Sequence, residues 1–249
     1  MATVSAVLSQ VRLFYRKHTE IQESHGISHV LRVWNHARKA LESAGTASEA
    51  VEIAALLHDV DDHKYFPDHQ NHENARTLLE AAQVPLDPSS ILQMIDWVSC
   101  SKNGNSIPPD STPLTLIPRW SDRLEAVGKE GVVRCYQYTI EHGRPLSSAL
   151  SPRPRSVDEL WALATPERFE HYQLHGPTFD DMISHFYDKL LHVARPPNVG
   201  NAYLQAQAEI GIAPLVHVCL EYGRTGQVDV AYMEGLAREL RSCSSETSF

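Results

Sequence analysis

An all-α fold is what this sequence predicts, and three observations lead there. Apolar residues recur at helical spacing along nearly the whole chain, starting with Val7, Leu8, Val11 and Phe14. Gly- and Pro-bearing breaks separate these segments, and no alternating runs flank a two-residue turn in the manner of a β-hairpin. Finally, Ala54-Ala55-Leu56-Leu57 is apolar all round and runs straight into His58-Asp59. A helix that apolar belongs inside a domain, so its polar end is delivered to an interior pocket. Buried ionisable groups are costly unless paired or bound to a metal.

The elements follow in order. A first helix is predicted over Ser5–Lys17, and a second from near Ser28 to Gly45 with the stripe Ile27, Val30, Leu31, Trp34, Ala37 and Leu41. Thr46-Ala47-Ser48-Glu49 reads as a capping box for the third, which carries Val51, Ile53, Ala54, Leu56 and Leu57. Helices over Asn74–Ala82 and Ser89–Ser99 precede a polar stretch, Ser101–Pro113, that reads as a surface loop. Helix resumes over Arg119–Val127, weakens at Gly128 and Gly131, and continues over Val132–Ile140 to a stop at His142-Gly143. The Pro- and Arg-rich stretch near 143–177 reads as a long excursion, either an exposed loop or a lid over an anionic substrate. Further helices are expected over Thr178–His192, over Ala202–Tyr222 with a break at Gly211–Pro214, and over Val228–Leu240. A frayed tail is expected from about Arg241.

The 249 residues suffice for one sizeable core, so a single domain over 1–249 is expected. The net charge of −9 gives no basic footprint for nucleic acid. Cys100, Cys135, Cys219 and Cys243 show no paired spacing, which argues against a disulfide framework and a zinc ribbon. With no signal-peptide design and no apolar run of membrane-spanning length, a cytoplasmic protein without membrane association is expected.

Four residues are placed to meet. His29 lies beside the apolar stripe of the second helix, His58 and Asp59 end the third, and Asp122 sits in Ser121-Asp122-Arg123-Leu124-Glu125. Two imidazoles and two carboxylates suit Mn, Fe, Co, Ni or Zn, with Mg also accommodated. His69 and His72 follow the His-Asp pair, and no histidine lies between His72 and Asp122. That pattern favours a single metal.

These stretches resemble the HD superfamily of metal-dependent phosphohydrolases, and more closely its stand-alone bacterial-type nucleotide pyrophosphohydrolases. The resemblance rests on His25-Gly26-Ile27-Ser28-His29, on Leu57-His58-Asp59-Val60-Asp61-Asp62-His63-Lys64, on Ser121-Asp122-Arg123-Leu124-Glu125-Ala126 and on His185-Phe186-Tyr187-Asp188-Lys189-Leu190-Leu191. It implies an HD-type helical bundle with one divalent ion, Mn as the working choice, on His29, His58, Asp59 and Asp122. The family commonly has Asp at Gly26 and a small or acidic lead-in at Pro118-Arg119-Trp120-Ser121; the second departure bears on the tilt of the Asp122 helix.

A metal with open positions can polarise a phosphoryl oxygen and activate water, so hydrolysis of a phosphorus ester or anhydride is expected. Asp62 is the candidate to orient or deprotonate the water, and Lys64 to neutralise phosphate charge. His25, Arg32, Tyr136, His185, Tyr187 and Lys189 are candidate substrate contacts, the aromatics by stacking on a base. The resemblance implies a (deoxy)nucleoside triphosphate substrate cleaved to monophosphate and pyrophosphate. The alternatives are a nucleotide phosphomonoesterase and a non-catalytic nucleotide or metal sensor. A diiron oxygenase is disfavoured by the missing histidines. Oligomeric state is not readable from the sequence.

Overall fold

The structure is a computed structural model describing residues 2–22, 25–177, 180–196 and 199–246, with the side chains of 101 and 243–246 excepted. Among the described residues every regular element is helical and none is a strand. The chain divides into two compact units, Met1–Asp122 with Asn198–Gln205, and Arg123–Pro197 with Ala206–Phe249. No helix among the described residues is long and apolar enough to cross a membrane.

In the first unit, α1 (Ala2–Lys17), α2 (Ile27–Ser43) and α5 (Pro88–Val98) pack around α3 (Glu49–Leu57), with α4 (Glu73–Ala81) against α1 and α5. Helix α3 is the hub because Val51, Ile53, Ala54, Ala55, Leu56 and Leu57 are all buried. Its N-cap is Ser48, which accepts a hydrogen bond from the Val51 amide at 3.3 Å, so the cap lies two residues past the expected Thr46. Glu49 is thereby the first helical residue and favours the helix N-terminus by its charge. The expected histidine and aspartate follow at the C-terminal end.

One further expectation in this unit is corrected. Ser101–Pro113 is not a plain surface loop, because a short helix, α6 (Cys100–Asn103), runs into it. The chain after α6 is tied down by Arg119 of α7 (Ile117–Leu124), a fully buried residue. Its guanidinium donates to the carbonyls of Ser106 at 2.8 Å, Gly104 at 2.6 Å and Asn103 at 3.4 Å. Trp120, next along, is 2% exposed and packs in the core. The lead-in that departs from the family pattern is therefore an anchor for the helix that presents Asp122.

In the second unit, α8 (Gly128–Glu141) packs on α14 (Val230–Glu246), and α10 (Pro166–His175) packs on a π-helix over Phe186–Leu190. The helical run breaks earlier than expected: α7 ends at Leu124, and α8 begins at Gly128, whose φ of +70° favours glycine. The Pro-rich excursion holds two helices that its composition does not announce, α9 (Val157–Leu163) and α10. Ser156 and Thr165 cap them, and each buries one large residue, Leu160 and Phe169. Arg144 pairs with Asp180 at 3.0 Å and Arg153 donates to the Gly223 carbonyl at 3.3 Å, so these arginines are engaged within the unit.

Of the helix expected over Thr178–His192, residues 178 and 179 lie outside the described residues. The rest is α11 (Met182–His185), the π-helix and α12 (Leu191–Val193), with Asp181 as cap. No break occurs at Gly211–Pro214, since α13 (Ala202–Thr225) runs through both. Gly211 instead allows close approach, because a Cβ there would meet Val127 Cγ2 at 2.7 Å. The tail expected to fray from Arg241 continues α14 to Glu246, seated by buried Met233 and Leu236. Burial pushes the Cys135 and Cys219 thiols up to about 12, which fits inert packing residues. The Cys243 side chain lies outside the described residues.

Replacing Arg119 with Met would leave three chain carbonyls without a charged donor and should lower unfolding free energy by about 3 kcal/mol, read by urea denaturation. A change under about 1 kcal/mol would mean that the anchoring is dispensable.

Candidate metal centre

The four expected ligands meet within the first unit. His29 stands in the first turn of α2 and is 1% exposed; His58 is the C-cap of α3 and is buried. Their Nε2 atoms are 3.2 Å apart. Asp59 Oδ2 lies 3.4 Å from His29 Nε2, and Asp59 Oδ1 lies 3.5 Å from His58 Nε2. Asp122 Oδ1 is 3.4 Å from His29 Nε2 and 3.6 Å from His58 Nε2.

These separations fit a common ion. Donors each about 2.0 to 2.2 Å from one cation stand roughly 3.0 to 3.6 Å from one another at octahedral to tetrahedral angles. His58 is oriented for ligation, since its Nδ1 lies 2.9 Å from the Ala55 carbonyl. With a proton held there, Nε2 is the nitrogen that faces Asp59 and Asp122 and would offer its lone pair once deprotonated, the usual arrangement for a ligating imidazole. His29, His58 and Asp59 form a group whose donor atoms all lie within 4.8 Å of one another; Asp122 is outside that group, although its Oδ1 approaches both imidazoles. The residues present therefore fit a divalent ion with mixed N/O ligation.

The electrostatics agree. Burial by itself would raise the Asp59 carboxyl, but the His58 charge and hydrogen bonds from His25 and His29 hold it well below the usual range. Asp122 behaves likewise, with burial overridden by hydrogen bonds from His29 and His58. Burial works against charge on His58, yet Asp59 and Asp122 outweigh it and raise its pKa. Both carboxylates are thus ionised at neutral pH, and His58 is the ligand whose proton competes with a cation.

A second layer adjoins Asp59. His25 Nδ1 lies 3.2 Å from Asp59 Oδ2 and 3.6 Å from Asp62 Oδ2, while its Nε2 lies 3.0 Å from Lys64 Nζ. An ammonium can only donate, so His25 accepts at Nε2 and its Nδ1–H faces the carboxylates. The Lys64 amide donates to Asp62 Oδ1 at 3.0 Å. Arg32 is half-buried one turn after His29. Asp61 points away from this layer and caps α4, accepting from the Asn74 and Ala75 amides, each at 2.9 Å, and from His69 at 2.6 Å. His72 Nε2 lies 3.1 Å from Asp96 Oδ1, so neither of the trailing histidines points to the four donors.

The remaining candidates belong to the second unit. Tyr136 is half-buried on α8. The His185 ring centre lies 5.4 Å from that of Tyr172, and Lys189 Nζ is 5.7 Å from the Tyr172 ring centre. Burial, joined by Lys189 and Arg144, lowers His185 to about 3 and keeps it neutral. Tyr187 is a correction. It is fully buried, with the Arg168 guanidinium 5.4 Å from its ring centre, so it offers no face for a base to stack on. The aromatic residue beside His185 and Lys189 is Tyr172, which no motif in the sequence marks.

Residues 26–127, which include all four candidate ligands, match the HD domain. This stretch of the chain is an HD domain. An uncharacterized protein of Acanthamoeba polyphaga mimivirus is 36% identical over 202 residues, covering 75% of this chain and 81% of that one. Solved structures share its fold: a Lactobacillus plantarum protein is 25% identical with a TM-score of 0.64, over 88% of this chain and 94% of that one. An HD-superfamily hydrolase from Bacillus thuringiensis is 19% identical with a TM-score of 0.56, over 96% of this chain and 98% of that one. The all-α HD fold expected from the sequence is the fold observed.

Because His58 must shed its proton to bind an ion, the apparent metal affinity should rise with pH through and somewhat above its ordinary value near 6.5, then level off. The sign follows from the raised pKa: His58 contributes stability to the metal-free protein below its unfolded value, and this is lost as pH rises through the folded value. Mn2+ titrations by calorimetry at several pH values check this, and an affinity flat between about pH 6 and 8 would contradict it. Saturating metal at about 100 times Kd should stabilise the protein by about 2.7 kcal/mol, and His58→Ala should remove that gain.

Proposed function

We propose that this HD protein is a divalent-metal-dependent phosphohydrolase whose substrates are (deoxy)nucleoside triphosphates, cleaved to monophosphate and pyrophosphate. The observation that carries the reading is the set of separations from 3.2 to 3.6 Å linking His29, His58, Asp59 and Asp122. The HD domain supports the hydrolytic class, as does the fold shared with the Bacillus thuringiensis HD-superfamily hydrolase. The nucleotide substrate rests on the likeness of the four motif stretches to the pyrophosphohydrolase subgroup.

One divalent ion is proposed, with Mn first and Mg, Co, Ni, Fe or Zn as alternatives that the ligands would accept. Such an ion polarises a phosphoryl oxygen and makes water a stronger nucleophile at neutral pH. Asp62 is proposed to take the proton of the attacking water, its carboxylate being held by the Lys64 amide. His25 holds the Asp59 carboxylate through its ring N–H, with Asp62 Oδ2 3.6 Å from the same nitrogen. The Lys64 ammonium and Arg32 are proposed to meet phosphate charge. In the second unit, Tyr136, His185 and Lys189 remain proposed nucleotide contacts, with Tyr172 taking the place of Tyr187.

Metal-stripped protein reloaded with Mn, Mg, Co or Ni and given a panel of nucleoside tri- and monophosphates should release pyrophosphate from triphosphates. Asp59→Ala should abolish turnover, and Asp62→Asn should lower kcat by about 10²-fold or more while leaving Mn binding intact. Orthophosphate from monophosphates would replace the reading with a phosphomonoesterase. Tight metal or nucleotide binding with no turnover would replace it with a sensor.

A further inference from the structure

Near the end of α1, Arg12, Tyr15 and Arg16 stand at positions i, i+3 and i+4, and so share one face of the helix. With Ile27 they line a cavity of about 120 Å³. Ile27 is the first residue of α2 and lies between His25 and His29, so one wall of the cavity belongs to the turn that presents the first metal ligand.

Among the described residues, the polar groups that line this cavity are donors, and Ile27 closes it with an apolar side. Tyr15 is 9% exposed, and its hydroxyl is buried without a hydrogen-bond partner among the described residues. A buried hydroxyl left unpaired costs free energy that a ligand acceptor would recover. Burial pushes the Tyr15 hydroxyl well up, and the charges of Asp59 and Asp62 add to this, so it keeps its proton. Arg12 and Arg16 are exposed, and neither side chain has an ion-pair or hydrogen-bond partner among the described residues, although the chain has 31 acidic residues against 22 basic ones. Two guanidinium forks and a hydroxyl donor, with no acceptor among them, match an anion with several oxygens. The cavity is small for a nucleoside and suited to a phosphate group.

We propose that Arg12, Tyr15 and Arg16 hold a phosphate group of the substrate other than the one attacked at the metal centre. The proposal rests on the phosphohydrolase reading and narrows it. It requires a substrate with at least two phosphate groups, hence an anhydride such as a nucleoside di- or triphosphate, over a phosphomonoester. The arginines act as positioning residues for binding and have no part in proton transfer.

The test uses the full-length, Mn-loaded protein with inorganic pyrophosphate as the calorimetric probe, and a nucleoside triphosphate for kinetics. Arg12→Ala/Arg16→Ala should raise the pyrophosphate Kd and the triphosphate KM at least tenfold with kcat within threefold of wild type. Tyr15→Phe should raise both several-fold. Lys17→Ala/Lys39→Ala removes the same charge from exposed positions off the cavity and should stay within twofold. Mn affinity and melting temperature should be unchanged in the arginine and lysine variants. Pyrophosphate affinity and KM unmoved by the arginine change, in an enzyme that turns over, would remove the pocket and leave the hydrolase. An equal loss in the lysine control would also remove it, by reducing the effect to long-range charge. A protein that hydrolyses nothing yet loses pyrophosphate in the arginine variant would remove the hydrolase reading and the substrate role together.

Discussion

Two imidazoles 3.2 Å apart, each with Asp59 and Asp122 oxygens at 3.4 to 3.6 Å, are the constraint on which the first unit depends. Such a cluster is costly to bury, and it persists because the carboxylates and the imidazoles stabilise one another's charge, against the opposing influence of His29 on His58. The apolar helix α3 sets His58 and Asp59 at the centre, the first turn of α2 brings His29 beside them, and α7 supplies Asp122. The Ala55 carbonyl then fixes the His58 ring from behind. The arrangement is one of preorganised donors whose geometry is set by helix ends.

The second layer divides labour between adjacent acidic residues. In Asp59-Val60-Asp61-Asp62, the first carboxylate faces the histidines, the last faces His25, and Asp61 caps α4. Helical and turn geometry rotates successive side chains apart, so neighbours in sequence serve different structures. His25 and Lys64 then complete a hydrogen-bonded chain ending on Asp59.

Much of this is legible in the sequence, and the reasons are physical. Helices with a continuous apolar stripe, such as α2 and α3, declare themselves by periodicity, and a His-Asp pair ending an apolar helix points to a buried site. Tyr15 and the arginines of α1 are not legible, because a lone Tyr in an amphipathic helix reads as packing until its hydroxyl is seen without a partner. Helices α9 and α10 are hidden because Pro and Arg outweigh their caps at Ser156 and Thr165. Pro214 reads as a helix break, yet tertiary packing carries the helix through it. Tyr187 shares a motif with His185 and Lys189, but rotation along the π-helix turns it into the core.

The candidate ligands also lie far apart along the chain. His29, the His58-Asp59 pair and Asp122 come from three separated stretches, and the interval from Asp59 to Asp122 contains α4, α5, α6 and the segment that Arg119 fastens. An ion bound by all four would act as a cross-link, closing that interval in the folded state and opposing its local opening. Loss of the ion would then do more than stop chemistry. It would free the intervening helices to open ahead of the rest of the unit, leaving this stretch the first target for a protease when metal is scarce.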